Sequence, residues 1–238
     1  LMTDLIPSYD TLEKGLCFPL FSFKPTESGG YKREYAITDF ALKSFENAYK
    51  GASISKEDIF YYLYGLLHSQ EFAKKYAKNL EKEMTRVPIL ESYSKFTEFT
   101  SKGRELANIH INFENSSLFD VKIEGNLLSD NFEVEKIKYK KIAKEKDLTT
   151  LKYNEHLTIS NVPREAYLYE VGGKPALDWV IERQAVTTDK KSQITNDAND
   201  WAIETMGNAK YPLELFQRVI TVSLETMKIV KSLPKLDI

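Results

Sequence analysis

Apolar and polar positions divide the 238-residue chain into a helical first half and a β-containing middle, closed by one more helix. The clearest start signal is Ser55. Its hydroxyl is placed to cap free amides, Asp58 stands where a capping-box acid belongs, and Ile59, Phe60, Tyr62, Leu63, Leu66 and Leu67 follow at helical spacing. This spacing predicts a helix at the centre of the core. A shorter amphipathic helix is predicted over 37–49, ending at Gly51, and Ser69 caps a third. On that third helix Phe72, Tyr76, Leu80 and Met84 share one side, while Lys74, Lys75, Lys78 and Lys82 fall largely on the other. Tyr93, Phe96, Phe99, Leu106 and Ile109 carry the period into another helix, where Gly103 is either a weak point or a close-packing site. Ahead of these, 17–23 (CFPLFSF) reads as a buried strand with Phe18, Leu20 and Phe21 in the core, and 25–30 as a turn.

After Ile111 the period shortens, which sets a boundary near Asn115 between a helical lobe, 1–114, and a β-containing lobe, 115–238, closed by a C-terminal helix. Phe132, Val134, Ile137, Tyr139 and Ile142 alternate with lysines, predicting a strand that projects Lys136, Lys138 and Lys140 from one face. Short strands follow within 152–159 and 167–171. Gly172-Gly173 makes a turn, and Pro175 opens a helix over 176–183. A polar loop, 189–201, is framed by Trp179 and Trp201, read as buried anchors. Leu213, Phe216, Val219, Ile220, Leu224, Met227 and Val230 form the stripe of a last long helix. The fold class is therefore α+β, with a helical core near 55–110 and 211–232 and a β-containing middle.

Composition narrows the function. With 42% hydrophobic and 29% charged residues the chain is of the ordinary globular kind, and its longest uncharged apolar run is too short for a bilayer, so no membrane partner is expected. The single Cys17 excludes an internal disulfide and fits a reducing, cytoplasmic setting. Leu1 stands where an initiator Met would, which predicts a piece of a longer polypeptide. A net charge of −2 means that nucleic-acid binding requires basic residues gathered on one face, and Lys136, Lys138, Lys140, Lys141, Lys144 and Lys146 are so gathered. Such lysines either track a phosphate backbone or protect an exposed edge strand. Lys32 and Arg33, beside Tyr31, are either loop decoration or phosphate contacts.

Neither GxGxxG nor GxxxxGK[ST] occurs, and no GxSxG elbow appears. His68 and His110 sit beside apolar helix positions and read as structural histidines. Asp189, Asp197 and Asp200 are loop acids that carry no specific signal for acid–base or metal chemistry. A binding module without cofactor is the better default.

One set of blocks goes further. Ile59-Phe60-Tyr61-Tyr62 with Leu67-His68-Ser69, Arg86-Val87-Pro88, Gly103-Arg104-Glu105-Leu106 and His110 come first. Gly172-Gly173, Leu177-Asp178-Trp179-Val180-Ile181, Arg183, Thr188-Asp189-Lys190, Asn196-Asp197 and Asn199-Asp200-Trp201 follow, then Arg218-Val219, Val222-Ser223 and Thr226. In this order they resemble the C-terminal specificity domain of type ISP restriction-modification enzymes. These are single polypeptides that join a nuclease, a helicase-like ATPase, an adenine methyltransferase and a target-recognition domain. The resemblance implies a non-catalytic domain that reads a short asymmetric site on double-stranded DNA and positions it for the methyltransferase and helicase-like domains of the same polypeptide. Lys136, Lys138, Lys140 and Lys141 are then candidates for phosphates. Lys32, Arg33, Arg183, Lys190 and Lys191 are candidates for base edges or backbone. The alternative is a structural coupling domain that docks the methyltransferase or ATPase and touches DNA little.

Overall fold

A computed structural model describes residues 1–7, 17–77, 87–127 and 132–237. Lys78, Leu80, Lys82, Met84 and Arg86 lie outside the described residues. The chain separates into two compact units, one formed by 2–111 with 228–238, the other by 112–227 with Leu1.

The first unit begins with an antiparallel hairpin, β1 (Phe21–Pro25) and β2 (Tyr31–Tyr35). Helix α1 (Asp39–Ala48) is capped by Thr38, α2 (Lys56–Leu67) by Ser55 and α3 (Gln70–Lys75) by Ser69; α4 spans Tyr93–Ile111. The capping box expected at Ser55 forms in both directions: the Asp58 amide donates to the Ser55 hydroxyl (3.1 Å) and the Ser55 amide to the Asp58 carboxylate (2.9 Å). Phe45, Tyr49, Ile59, Tyr62, Phe96 and Phe99 make an aromatic-rich core, in which the Tyr62 ring lies 5.0 Å from Phe96 and 5.6 Å from Phe45. Tyr62 and Tyr49 each donate their hydroxyl to a backbone carbonyl, Pro88 and Leu90, at 2.7 Å, so these buried phenols are satisfied.

Helices α2 and α4 meet backbone to backbone. A Cβ on Gly103 would fall 1.9 Å from the Tyr61 carbonyl oxygen, and one on Gly65 2.4 Å from that of Phe99. Gly103 is thus the close-packing site and not a weak point. Arg104 secures the same seam, with Nη2 2.9 Å from Asp58 Oδ1 and its guanidinium 4.3 Å over the Tyr61 ring.

Residues 17–23 do not form a buried strand. The strand starts at Phe21 and pairs, among the described residues, with β2 alone, leaving Phe18 and Phe23 more than 60% exposed. Leu67, at the last turn of α2, is also exposed.

His68 and His110 are interior groups. His68 Nδ1 donates to the Tyr64 carbonyl (2.8 Å), and the Tyr64 hydroxyl lies 2.6 Å from His110 Nδ1. Burial holds both neutral, lowering His68 to about 4 and His110 to about 3. The unfolded chain takes up these protons near pH 6.5, so it binds more protons than the folded chain below that pH, and stability falls on acidification. In urea titrations between pH 6.5 and 4 the unfolding free energy drops by about 1 kcal/mol per pH unit for each histidine. A His68→Gln variant shows a shallower pH slope; an unchanged slope would remove His68 from the acid response.

The second unit is built on a four-stranded antiparallel sheet in the order β3 (Lys122–Gly125), β6 (Leu157–Ser160), β5 (Glu145–Lys152), β4 (Lys138–Ile142). Two short ladders follow, β7 (Glu170–Val171) with β8 (Lys174–Pro175), and β9 (Val186–Thr188) with β10 (Thr195–Asp197). Helices α5 (Ala176–Arg183), α6 (Ala198–Glu204) and α7 (Tyr211–Lys231) complete the chain, with residues of α7 up to Met227 in this unit. Leu151, Leu157 and Ile159 from the sheet, Leu177 from α5 and Phe216 and Ile220 from α7 are fully buried in one cluster, each contributing about 1.5–3 kcal/mol by leaving water. Segment 116–119 is pinned along α7 by side chains of that helix: Gln217 and Arg218 donate to the carbonyls of Phe119 (2.9 Å) and Ser116 (2.6 Å).

Two expectations for this unit change. The polar stretch 189–201 is a loop only over 189–194, the turn of the β9–β10 hairpin; 195–197 form β10 and 198–201 open α6. Its carboxylates bond their own backbone: Asp189 accepts from the amides of Lys191 (3.0 Å) and Ser192 (2.7 Å), and Asp197 caps α6 by accepting from Asn199 (2.8 Å). Trp179 anchors the scaffold as expected, donating Nε1–H to the Val171 carbonyl at 2.8 Å, but Trp201 does not, being 55% exposed on α6.

Candidate nucleic-acid interface

Strand β4 begins as the alternation predicts. Ile137 is buried, Tyr139 half-buried, and Lys136 and Lys138 are exposed between them. The register then shifts between Tyr139 and Lys140, so that Tyr139 faces Leu151 while Lys140 faces Asp147. Beyond the shift Ile142 is exposed to solvent. Ile142 pairs directly with Glu145, so the turn consists of Ala143 and Lys144, both at positive φ (49° and 75°). Two such residues define the hairpin turn in which Asn-Gly is the favoured pair, and here a lysine occupies the position instead.

A cleft of about 550 Å³ runs between this hairpin and helix α5 with the start of β9. Lys136, Lys138, Lys141, Lys146 and Lys174 line it, against Asp178 and Glu182 as the carboxylates. Lys174 is committed, in an ion pair with Glu182 and 4.2 Å over the Trp179 ring. The Tyr139 hydroxyl donates to Asp178, tying strand to helix across the cleft, and burial with this bond pushes its pKa far above the ordinary phenol value. The other four lysines have no ion-pair partner among the described residues, although Lys146 lies 5.0 Å over the Tyr139 ring. Register sets Lys141 directly opposite Lys146, and Lys138 opposite Lys152. Like charges directly opposed across a sheet oppose its formation, by roughly 0.2–1 kcal/mol a pair on the scale of such contacts. The cleft therefore holds five lysines against two carboxylates, an excess of positive charge that an anion would relieve.

Among the residues singled out from sequence, Lys136, Lys138, Lys141 and Lys146 meet at this cleft. Lys140 does not line it, because the register shift interrupts the row. Lys144 occupies the hairpin turn. Arg183, the last residue of α5, stands 5.7 Å from the Trp179 ring, and Lys190 and Lys191 lie in the β9–β10 turn, where the Lys190 carbonyl accepts from Gln193. Lys32 and Arg33 belong to β2 in the other unit. Lys32 is paired with Glu34 (3.1 Å), and Arg33 lies 4.2 Å over Phe21. Lys174 is the cleft residue that sequence reading missed. A lysine after a Gly-Gly turn carries no charge pattern of its own, and only the β7–β8 ladder brings it to Glu182 and Trp179. No group of three or more metal-ligating side chains is gathered among the described residues, and none of their helices is long and apolar enough to cross a membrane.

Comparison with known families decides what scaffold carries this cleft: residues 1–217 match the Type ISP C-terminal specificity domain. The chain belongs to that family. Comparison of this specificity domain with curated proteins gives no match. Solved structures do resemble it. The ATP-dependent Type ISP restriction-modification enzyme LlaBIII bound to DNA matches 92% of the domain at 34% identity, with a TM-score of 0.80. A nuclease-deletion mutant of the Type ISP enzyme LlaGI with a DNA substrate mimic matches 78% at 39% identity and 0.68. A DrdV–DNA complex matches 98% at 33% identity and 0.80. The specificity domain spans 14% of the LlaBIII and LlaGI chains and 23% of the DrdV chain. The α+β class expected from the pattern of the sequence is the one observed.

Proposed function

We propose that this specificity domain recognises a short asymmetric site on double-stranded DNA and positions it for an adenine methyltransferase and a translocating nuclease of the same cytoplasmic polypeptide. The observation that carries this reading is the cleft, lined by Lys136, Lys138, Lys141 and Lys146 with no ion-pair partner among the described residues, Lys141 and Lys146 opposing each other in register. Lys136, Lys138, Lys141 and Lys146 neutralise phosphates, while Lys174, held by Glu182 and Trp179, presents a fixed charge. Arg183, Lys190 and Lys191 flank them as secondary backbone contacts. The DNA-bound state of the similar LlaBIII and DrdV structures supports the assignment.

The domain binds and does no chemistry of its own, and it requires no cofactor. Tyr139, whose hydroxyl is held protonated by burial and Asp178, acts as a rigid wall of the cleft. A second reading, docking of the methyltransferase or ATPase domain, is favoured by one feature: α6 exposes Trp201 and Ile203, each 55% accessible. Both roles are compatible, since they use different residues. The test is selection of a randomised duplex library by the complete polypeptide that carries the domain, followed by sequencing. One enriched asymmetric site is the expected result; recovery of no preferred site would overturn target recognition.

A further inference from the structure

The β1–β2 hairpin has two unlike faces. Register pairs Ser22 with Glu34 and Lys24 with Lys32 on one face, and there Lys24 (2.7 Å) and Lys32 (3.1 Å) both bind the Glu34 carboxylate. The other face carries Phe21 opposite Tyr35, Phe23 opposite Arg33, and Pro25 opposite Tyr31. At its base it is tied down, since the Tyr35 hydroxyl donates to Glu57 of α2 (3.0 Å). Towards the tip it is open to water, with Phe23 64% and Tyr31 76% exposed. Large aromatic side chains in such numbers on an uncovered ribbon are unusual unless the ribbon meets a ligand.

Arg33 identifies the ligand. It is exposed, and unlike the two lysines it has no ion pair among the described residues. Its guanidinium carbon lies 4.2 Å from the Phe21 ring centroid, a cation–π contact that restrains the side chain without consuming a hydrogen-bond donor in an ion pair. A guanidinium held in this way loses little freedom on forming the paired hydrogen bonds that guanine O6 and N7 accept. Two five-residue strands make a ribbon about 17 Å long and about 5 Å between strands, narrow enough for a major groove about 12 Å wide. Phe23 and Tyr31 supply apolar surface on either side, suited to thymine methyl groups and sugar edges.

We infer that the β1–β2 ribbon enters the DNA major groove and that Arg33 reads a guanine there, making it a specificity-determining residue distinct from the phosphate-binding lysines of the cleft. This rests on the DNA-recognition reading above. The test repeats the duplex selection with Arg33→Lys, which keeps the charge but loses the fork, and Phe21→Leu, which keeps the strand but removes the stacking surface. Thermal melts of both variants serve as a check on folding. The wild-type site contains a guanine at one position where Arg33→Lys loses discrimination about tenfold to a hundredfold, other positions being unchanged, and Phe21→Leu weakens the same position. Three results would overturn the inference: an unaltered site, a loss spread uniformly over all positions with a shallower salt dependence, or intact selectivity with impaired assembly of the polypeptide, which would make the ribbon a protein contact. If the wild-type protein selects no site, the recognition reading itself fails, and the two failures are thereby told apart.

Discussion

Replacing Lys138, Lys141 and Lys146 together by alanine lowers duplex affinity of the complete polypeptide about a hundredfold at moderate salt, and makes the plot of log affinity against log salt shallower by about 2.7. The slope is the more telling quantity, because each phosphate contact releases counterions and adds about −0.9 to it, whatever the base sequence. All three side chains line the cleft without ion-pair partners among the described residues. Their loss removes the Lys146 contact with the Tyr139 ring but relieves the Lys141–Lys146 opposition, and all three side chains are exposed, so the variant remains folded. Lys140→Ala is the internal control: it stands one residue from Lys141 in the chain but outside the cleft lining, and changes the slope by less than half a contact. Fluorescence anisotropy over a salt series measures both. An unchanged slope in the triple variant would remove these lysines from the interface.

Gly103→Ala unfolds the helical unit or destabilises it by about 3 kcal/mol or more, the upper end of what overpacking a core costs. The added methyl would sit 1.9 Å from the Tyr61 carbonyl oxygen and 3.0 Å from the Gly65 amide nitrogen, and both are backbone atoms of a packed helix that have no rotamer to yield. Helices α2 and α4 would have to separate along the seam that Arg104 and Asp58 close. Gly51→Ala provides the contrast. No atom lies within 4 Å of its methyl, so only the cost of a positive φ (84°) remains, about 1 kcal/mol. Urea denaturation followed by far-ultraviolet circular dichroism separates the two cases; equal effects would show that the close approach is dispensable.

The helical unit was the more legible part of the sequence because its signals are local. A cap, an acid in the capping box and an apolar period each report on neighbours within a turn or two, and α1, α2 and α4 form close to where these signals fall. The β-containing unit depends on which strands meet. The alternation around Lys136, Lys138 and Tyr139 was visible, but the register shift after Tyr139 is set by the partner strand, so Lys140 was placed with the row. The stretch 189–201 was read as a loop for a related reason. Its Asp, Asn and Ser residues have the composition of a loop, and only the pairing of Thr188 with Thr195 shows that the same side chains brace a hairpin. Trp201 was misplaced by its residue type, since tryptophan is usually packed, while the helix that carries it buries Ala202 and leaves the indole outside. The cleft was legible as charge density and illegible as geometry: Lys174 reaches it from a distant turn, and no spacing in the chain announces that.

The facing lysines of the β4–β5 hairpin also link folding to occupancy. Without a ligand, Lys141 and Lys146 repel across the ladder and Lys138 and Lys152 do the same, so the hairpin is held below the stability its hydrogen bonds alone would give. A polyanion laid along it acts as the missing counter-charge of the sheet, and whatever repulsion it cancels reappears as affinity. Simple salt then acts in opposite senses on the two states, steadying the unoccupied hairpin by screening while weakening the phosphate contacts proposed for it. A version with neutral residues at these four positions would be the sturdier fold and the poorer reader of DNA.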